Sequence, residues 1–448
     1  MNHDTVSVPR ILPDPSLEGA GSLFDLAGRE AVARFVEDRG WRVRLVKPVQ
    51  ALYRPTQSCL VRFNVRATDT KDQLRVVSVS AETRAEPKHS LPVDESWDKH
   101  HDFPRPLEEA GDLTLWFFPY DPGLRTLPSA ARGNDMKDSL SLMGRRPLAV
   151  ASQPIGYRPR RRAMFRYAAF YGSGAAKTRA SFYAKVLRSE RAGALMTLSR
   201  RLEECRGPLS WARRKPKLGL ALPRKLVGRN VVIVDSLPGT TLQDLLLRGA
   251  PLPRPERIAD LMDDLVALTP RTFDIESRRH RRSVVETSRT AAELLHRLVP
   301  ECSSLVDLTV DGICSALQND VVPRRVVHGD LYAAQVLVQE DFSLALVDLD
   351  DFGMGDPALD AANFSAHLLA LALTKPGAKG NLLAFRTMAR AVFMKRLDVS
   401  PHDLDWREAF VMLQLATGPF RTLRPDWPKR VGQFLEVAHR LVPGSRAA

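Results

Sequence analysis

No apolar run in this sequence approaches the roughly 20 residues that a bilayer span needs. The longest, LLALAL at 368–373, has six. Residues 1–16, MNHDTVSVPRILPDPS, show no basic stretch followed by an apolar one, so no secretory leader is expected. Cysteine is scarce. Cys59, Cys205, Cys302 and Cys314 are widely spaced, no CxxC pair points to zinc or redox chemistry, and a reduced cytoplasm is the expected setting. Acid is also in deficit, with 52 carboxylate against 66 basic side chains and a net charge of +14. That balance favours anionic partners such as nucleotides or phosphorylated molecules. The basic clusters RPRRR (158–162), RRKPK (213–217) and RRHRR (278–282) are short and lack interleaved aromatics, which argues against a nucleic-acid platform.

The chain is too long for one compact core, and its patterning changes along its length. After an irregular lead over 1–20, a helical pattern at 23–40 precedes the strand-like VRLVKPV, SCLVRFNV, LRVVSVSA and LTLWFF. Residues 130–147 read as a connection. The pattern then restarts. YRPTQSCLVRF at 53–63 is echoed by YRPRRRAMFRY at 157–167, and the ungapped offset of 104 sets Ala81 against Lys185. Only five of the 29 positions from 53 to 81 are identical to their counterparts, but the strand–loop–strand order agrees, so a duplicated small antiparallel sheet is expected. From about 240 the chain reads as helical, interrupted once. The expected architecture is α+β with two lobes. Its segments are a cap over 21–147, a β-rich lobe over 148–239 and a helical lobe over 240–448.

The interruption is VVHGDLYAAQVLVQEDFSLALVDLDDFGMGDPALD (326–360), which holds seven Asp, one Glu and one His. QVLVQ and LALVD read as an antiparallel hairpin closed by EDFS. Pairing 339 with 344 sets Gln335 opposite Asp348, with Cβ atoms roughly 5 Å apart, beside the HGD loop. Hard oxygen donors gathered in this way suit Mg²⁺ shared with substrate phosphates. Asp356-Pro357 reads as a helix N-cap with Pro at N1, which gives Asp356 and Asp360 architectural work.

HGDLYAAQ resembles the H-G-D-x-x-x-x-N catalytic loop of the aminoglycoside phosphotransferase and choline kinase superfamily, a relative of the protein-kinase loop. VDLDDFGMGDPALD resembles that family's following metal-binding segment, 17 residues after Asp330. The resemblance implies a protein-kinase-like fold and an ATP- and Mg²⁺-dependent transfer of the γ-phosphate to a small-molecule hydroxyl. Asp330 would then be the catalytic base, with His328 beside it, and Asp348 and Gln335 the Mg²⁺ ligands. Lys185 would pair with nucleotide phosphates, oriented by a glutamate of the next helix, Glu203 or else Glu204 or Glu190. Ser236 and Leu237 resemble the adenine hinge. The loop GYRPRRR (156–162) lacks a Gly-x-Gly-x-x-Gly, so Arg160 is the expected phosphate ligand in its place. One of Asp350 and Asp351 is a candidate for holding a second ion or a basic substrate, and the other is expected to be solvated. Gln335 in place of the usual Asn is similar to maltokinase-like sugar kinases, which also carry an N-terminal cap. The acceptor expected first is a sugar or aminosugar, then an aminoglycoside. FRTLRPDWPKR (420–430) offers Arg421, Arg424 and Trp427 as pocket-lining residues or as a surface loop with an anchoring Trp. The reading from another class is a non-catalytic kinase-fold scaffold whose basic surface holds an anionic partner.

Overall fold

The computed structural model describes residues 13–86, 106–142, 144–172, 178–205, 219–234, 236–267, 275, 283–318, 324–442 and 444. The basic clusters 213–217 and 278–282 lie outside them. Strands β1 (Arg42–Arg54), β2 (Ser58–Thr68), β3 (Leu74–Arg84), β4 (Leu107–Ala110) and β5 (Leu113–Phe117) form one antiparallel sheet in the order β1-β2-β3-β5-β4. A second sheet takes β6 (Ala149–Arg158), β7 (Arg162–Tyr171), β8 (Thr178–Leu187), β10 (Pro223–Val227) and β11 (Val231–Val234) in the order β10-β11-β8-β7-β6; β9 (Gly219–Leu220) belongs to a third. That third sheet joins β9 to β12 (Thr240–Thr241), β14 (Val336–Val338) and β15 (Leu344–Leu346), while β13 (Arg325–Val327) pairs with β16 (Gly353–Gly355). The remaining described elements after β12 are helices, and none is long and apolar enough to cross a membrane.

The two large sheets are built alike. Each alternates inward apolar and outward polar positions, so each buries one face. In β2, Cys59, Val61, Phe63, Val65 and Ala67 face a core shared with the helix Leu26–Glu37. In β7, Ala163, Phe165, Tyr167 and Ala169 face a core shared with Leu124, Leu127, Ala130, Met136 and Leu140. Residues 124–140, partly expected as a connection, are therefore the helical layer of the second sheet. The likeness extends to an anchor that the strand pattern does not show. Asp14-Pro-Ser-Leu and Asp121-Pro-Gly-Leu make the same turn. Asp14 Oδ2 accepts from Tyr53 Oη at 2.7 Å and from Thr56 N at 2.8 Å. Asp121 Oδ2 accepts from Tyr157 Oη at 2.8 Å and from Arg160 N at 2.7 Å. Thr56 and Arg160 both have left-handed backbone, with φ of 60° and 63°. Each copy thus runs from an Asp-Pro-x-Leu turn through a helical layer to three strands.

The ungapped alignment slips by one residue in the third strand. Seven residues lie between Ala67 and its β3 partner Arg75, and six between Tyr171 and its β8 partner Thr178. The pairing equates Leu60–Glu82 with Met164–Lys185, so the residue at the lysine's position in the first copy is Glu82, not Ala81.

The first copy's core runs on into the C-terminal helices, with Phe24 against Phe420 at 5.7 Å between ring centroids. Ser236 and Leu237, expected as the hinge, are exposed and half-buried respectively and lead to Gly239. Gly239 has φ of +124°, and a Cβ there would lie 2.8 Å from Val338 O, so the tight approach of β12 to β14 requires glycine.

Candidate active site

The acidic hairpin forms, in a register one residue away from expectation. Val336 pairs with Leu346 and Val338 with Leu344, and Gln339–Ser343 closes the loop with Phe342 in left-handed backbone. Gln335 therefore lies opposite Val347, whose N–H donates to Gln335 O at 3.0 Å. Asp348 is the next residue and has φ of 62° and ψ of 59°. A non-glycine residue there carries strain on the order of 1 kcal/mol. This turn swings the Asp348 carboxylate back beside Gln335, and Gln335 Nε2 donates to Asp348 Oδ2 at 3.4 Å and to Tyr332 Oη at 3.0 Å.

Lys185 comes to the same place from 163 residues away. Its ammonium is buried, 2.5 Å from Asp348 Oδ1 and 2.5 Å from Asp350 Oδ1. Arg191 reaches Asp350 Oδ2 at 2.9 Å, and Arg162 stands 3.5 Å from Asp350 and 3.7 Å from Asp348. Three cations thus surround two carboxylates. Burial opposes charge on Asp348, but the Lys185 charge and hydrogen bond, with Arg162, hold its carboxyl well below the usual range. Burial, set against Lys185, leaves the Asp350 carboxyl above its usual value, and the Asp348 charge adds to the rise. Burial also disfavours the Lys185 cation, but Asp350 and Asp348 more than offset that and raise its pKa.

Three expectations change here. No glutamate of the helix Ser189–Cys205 meets Lys185: Glu203 and Glu190 are exposed and Glu204 faces Arg200. That helix sends Arg191 to Asp350 instead, because two aspartates already satisfy the ammonium. Asp350 is engaged by Lys185, Arg191 and Arg162 rather than open to a substrate ammonium in this structure; Asp351 beside it is half-buried. Arg160 points away from the carboxylates. Its left-handed backbone turns the side chain toward the first sheet, where it pairs with Glu82 at 2.7 Å and lies 5.0 Å from the Trp116 ring centre.

Asp330 is held by the helix Pro357–Thr374. Asp356 caps this helix, accepting from Ala358 N at 2.8 Å and from buried Arg407 Nε at 2.6 Å. Asp360 accepts from His328 N at 2.7 Å and Gly329 N at 3.1 Å, fixing the loop where Gly329 has φ of 81°. One turn on, Asn363 donates to Leu331 O at 2.8 Å and to Asp330 Oδ1 at 3.4 Å. A further turn on, His367 stacks on Tyr332 at 4.3 Å. Positions 360, 363 and 367 share one helix face. Burial, with Asp330 and Asp348 nearby, pushes the Tyr332 phenol up to about 12. His328 is fully buried. Its Nε2 lies 3.0 Å from Val347 O, and its Nδ1 accepts from Asp330 N at 3.4 Å. Both ring nitrogens are thus engaged with backbone, the arrangement of a residue that positions the loop rather than one that touches a substrate.

Sequence reasoning missed Arg162, Arg191 and Asn363 as parts of this site. Arg162 lies in a basic run that was noted, but nothing local distinguishes it from its neighbours. Of the C-terminal candidates, Trp427 is buried against Phe420 and Arg424 faces Asp426 at 3.7 Å, while Arg421 lines a cavity.

Residues 199–384 match the model of the phosphotransferase enzyme family. The match takes in Asp330, Gln335 and Asp348 and begins after Lys185, so the resemblance drawn from the two motifs holds across the catalytic segment. Among solved structures, the chain is similar to a thermostable mutant of aminoglycoside phosphotransferase APH(4)-Ia, with 13% identity over 67% of this chain and 97% of that one and a TM-score of 0.46. It is also similar to choline kinase LicA from Streptococcus pneumoniae, with 11% identity over 68% and 96% and a TM-score of 0.43. A search of curated proteins returned no significant match.

Proposed function

We propose that the chain is a small-molecule kinase that moves the γ-phosphate of ATP to a hydroxyl group. The observation that carries this reading is the meeting of Lys185 with Asp348 at 2.5 Å beside Gln335. It brings a buried cation, a carboxylate and an amide together at the end of the hairpin that bears Asp330. Phosphoryl transfer relies on positioning and charge stabilisation, which such a group supplies.

The donor set suits Mg²⁺. Mg²⁺ takes one or two protein oxygen ligands and completes its shell with substrate phosphates and water. Asp348 and Gln335 would hold it, Gln335 by turning its amide oxygen inward, and the ion when bound neutralises phosphate charge. Lys185 balances the nucleotide's anionic oxygens. Arg162 and Arg191 pair with Asp350 and hold it against Lys185. Asp330, kept in place by Asn363 and the His328 loop, accepts the proton of the attacking hydroxyl at its carboxylate. Ser236 and Leu237 form the hinge against adenine.

A sugar or aminosugar is the leading acceptor, in a cytoplasmic setting, and an aminoglycoside comes second. Asp350 is paired with Lys185, Arg191 and Arg162, so Asp351 would be the acid that meets its ammonium groups. The non-catalytic scaffold is disfavoured by the intact Asp330, Asp348 and Lys185. We further propose residues 21–147 as a cap that carries no catalytic group. The test is a thermal-shift titration with ATP and Mg²⁺ followed by a nucleotide-consumption screen over sugars, aminosugars and amino alcohols. Stabilisation by nucleotide should vanish in Asp348→Ala, and turnover should fall roughly 10²–10⁴-fold in Asp330→Ala. A wild-type protein indifferent to millimolar ATP defeats the proposal.

A further inference from the structure

The two copies' hairpin turns, 54–58 and 158–162, face one another across a cavity of about 530 Å³. We propose that this cavity binds a small polyanion, a molecule carrying phosphate or clustered carboxylate groups. Its volume falls within the roughly 300–1,000 Å³ range of small-molecule sites. Arg54 comes from the first turn, Arg161 from the second, Arg188 from the end of β8, and Arg421 from the C-terminal helices. Among the described residues, none of these four guanidinium groups makes an ion pair with a carboxylate. The nearest acid, Glu82, is taken up by Arg160 at 2.7 Å and Arg84 at 3.0 Å. The other two acids of the lining, Glu286 and Glu293, sit exposed on one helix, and the four arginines are exposed as well. Arg161 is exposed, but desolvation by the surrounding wall, together with repulsion from Arg54, Arg158, Arg421 and Arg191, pushes its guanidinium down to about 10. Like charges are thus crowded around a space with too few anions to neutralise them. Planar guanidinium forks match phosphate and carboxylate oxygens in pairs.

The cavity wall is linked to the candidate site through charge, by way of Arg158 on the second turn. Arg158 feels the charges of Asp330 and Asp348, and both Arg161 and Arg421 feel Arg158. The polyanion is therefore either the far end of an anionic acceptor or a separate effector. The first source rests on the kinase reading; the second does not.

The test titrates sodium pyrophosphate into the full chain by calorimetry. Wild type should bind it saturably. Arg54→Gln and Arg161→Gln, one from each turn, should each weaken binding at least tenfold. Glu293→Gln should tighten it about twofold, an opposite change that misfolding does not produce. Lys185→Ala should bind within twofold of wild type. The inference is overturned by unsaturable binding in wild type, by wild-type affinity in both arginine variants, or by loss of binding in Lys185→Ala, which would locate the pyrophosphate at the nucleotide site. Pyrophosphate binding that persists without any ATP turnover leaves this inference standing and removes the kinase reading. With an active acceptor, a tenfold rise in its KM in Arg161→Gln at unchanged kcat identifies the acceptor as the anion. Unchanged KM, with loss of the response of the rate to pyrophosphate, identifies an effector.

Discussion

The two β-hairpin sheets share an anchor, a turn and a strand order, yet one of them carries a charge suited to phosphate and the other carries its opposite. Lys185 on β8 and Glu82 on β3 occupy the same rung beside the equivalent residues Met164 and Leu60. Both are buried and both are bound by opposite charges, Lys185 by Asp348 and Asp350 and Glu82 by Arg160 and by Arg84 of its own strand. A buried charge needs partners, and in each copy at least one partner comes from outside the strand pair. In the second copy the partners belong to the acidic hairpin, which makes a site. In the first copy the principal partner is the second copy's own turn residue, which makes a seam. The same fold element thus serves as a wall of the proposed site and as fastening, and the sign of one side chain separates the two uses.

The strongest way to break this comparison is to give the second copy the first copy's charge. Lys185→Glu leaves two cations facing three carboxylates, and turnover should fall roughly 10³-fold or more with nucleotide stabilisation lost; steady-state assays and thermal shift check it. Glu82→Ala should do the reverse, costing about 3 kcal/mol in urea unfolding because Arg160 is left buried without its partner, while turnover stays within about twofold. A large loss of activity there would mean that the seam is part of the site. The anchors allow a finer cut. Asp121→Asn and Asp14→Asn each weaken three charge-assisted hydrogen bonds, worth about 1–3 kcal/mol in all. Only Asp121→Asn should also weaken nucleotide binding several-fold, since Asp121 fixes the turn that bears Arg158 and Arg162.

The smallest effect is in the pH dependence of those two variants. Burial opposes charge on both carboxylates. For Asp14 the hydrogen bonds from Thr56 and Tyr53 prevail and its pKa lies below 3.8, whereas for Asp121 burial prevails and its pKa lies above 3.8. A depressed folded-state pKa gives stability that is present above the unfolded value and is lost as pH falls through the folded one. A raised one costs stability that is recovered as pH falls. Between pH 7 and 3 the deficit of Asp14→Asn should therefore shrink and that of Asp121→Asn should grow; urea unfolding at several pH values measures both slopes, and parallel slopes would contradict the assignment.

Whatever depends on neighbours within about 20 residues was legible in the chain. The HGD loop, the hairpin, the Asp356-Pro357 cap and most long helices follow from local pattern, because turn chemistry, capping and periodicity are short-range. The Asp-Pro-x-Leu anchors at 14–17 and 121–124 were readable too, as a second repeat with an offset of 107, and went unread beside the longer strand pattern.

What the amino-acid order determined alone is the supply of groups: a carboxylate-rich hairpin, a lysine on a strand, and an arginine-rich turn at 158–162. Only the tertiary structure decided their company. A one-residue difference between the copies chose Glu82 rather than Ala81 as the counterpart of Lys185. One left-handed residue sent Arg160 to the seam, and another sent Asp348 to the lysine. The partners of a buried charge are set by how distant strands and helices pack, and side chains 160 residues apart carry no local signal of that meeting.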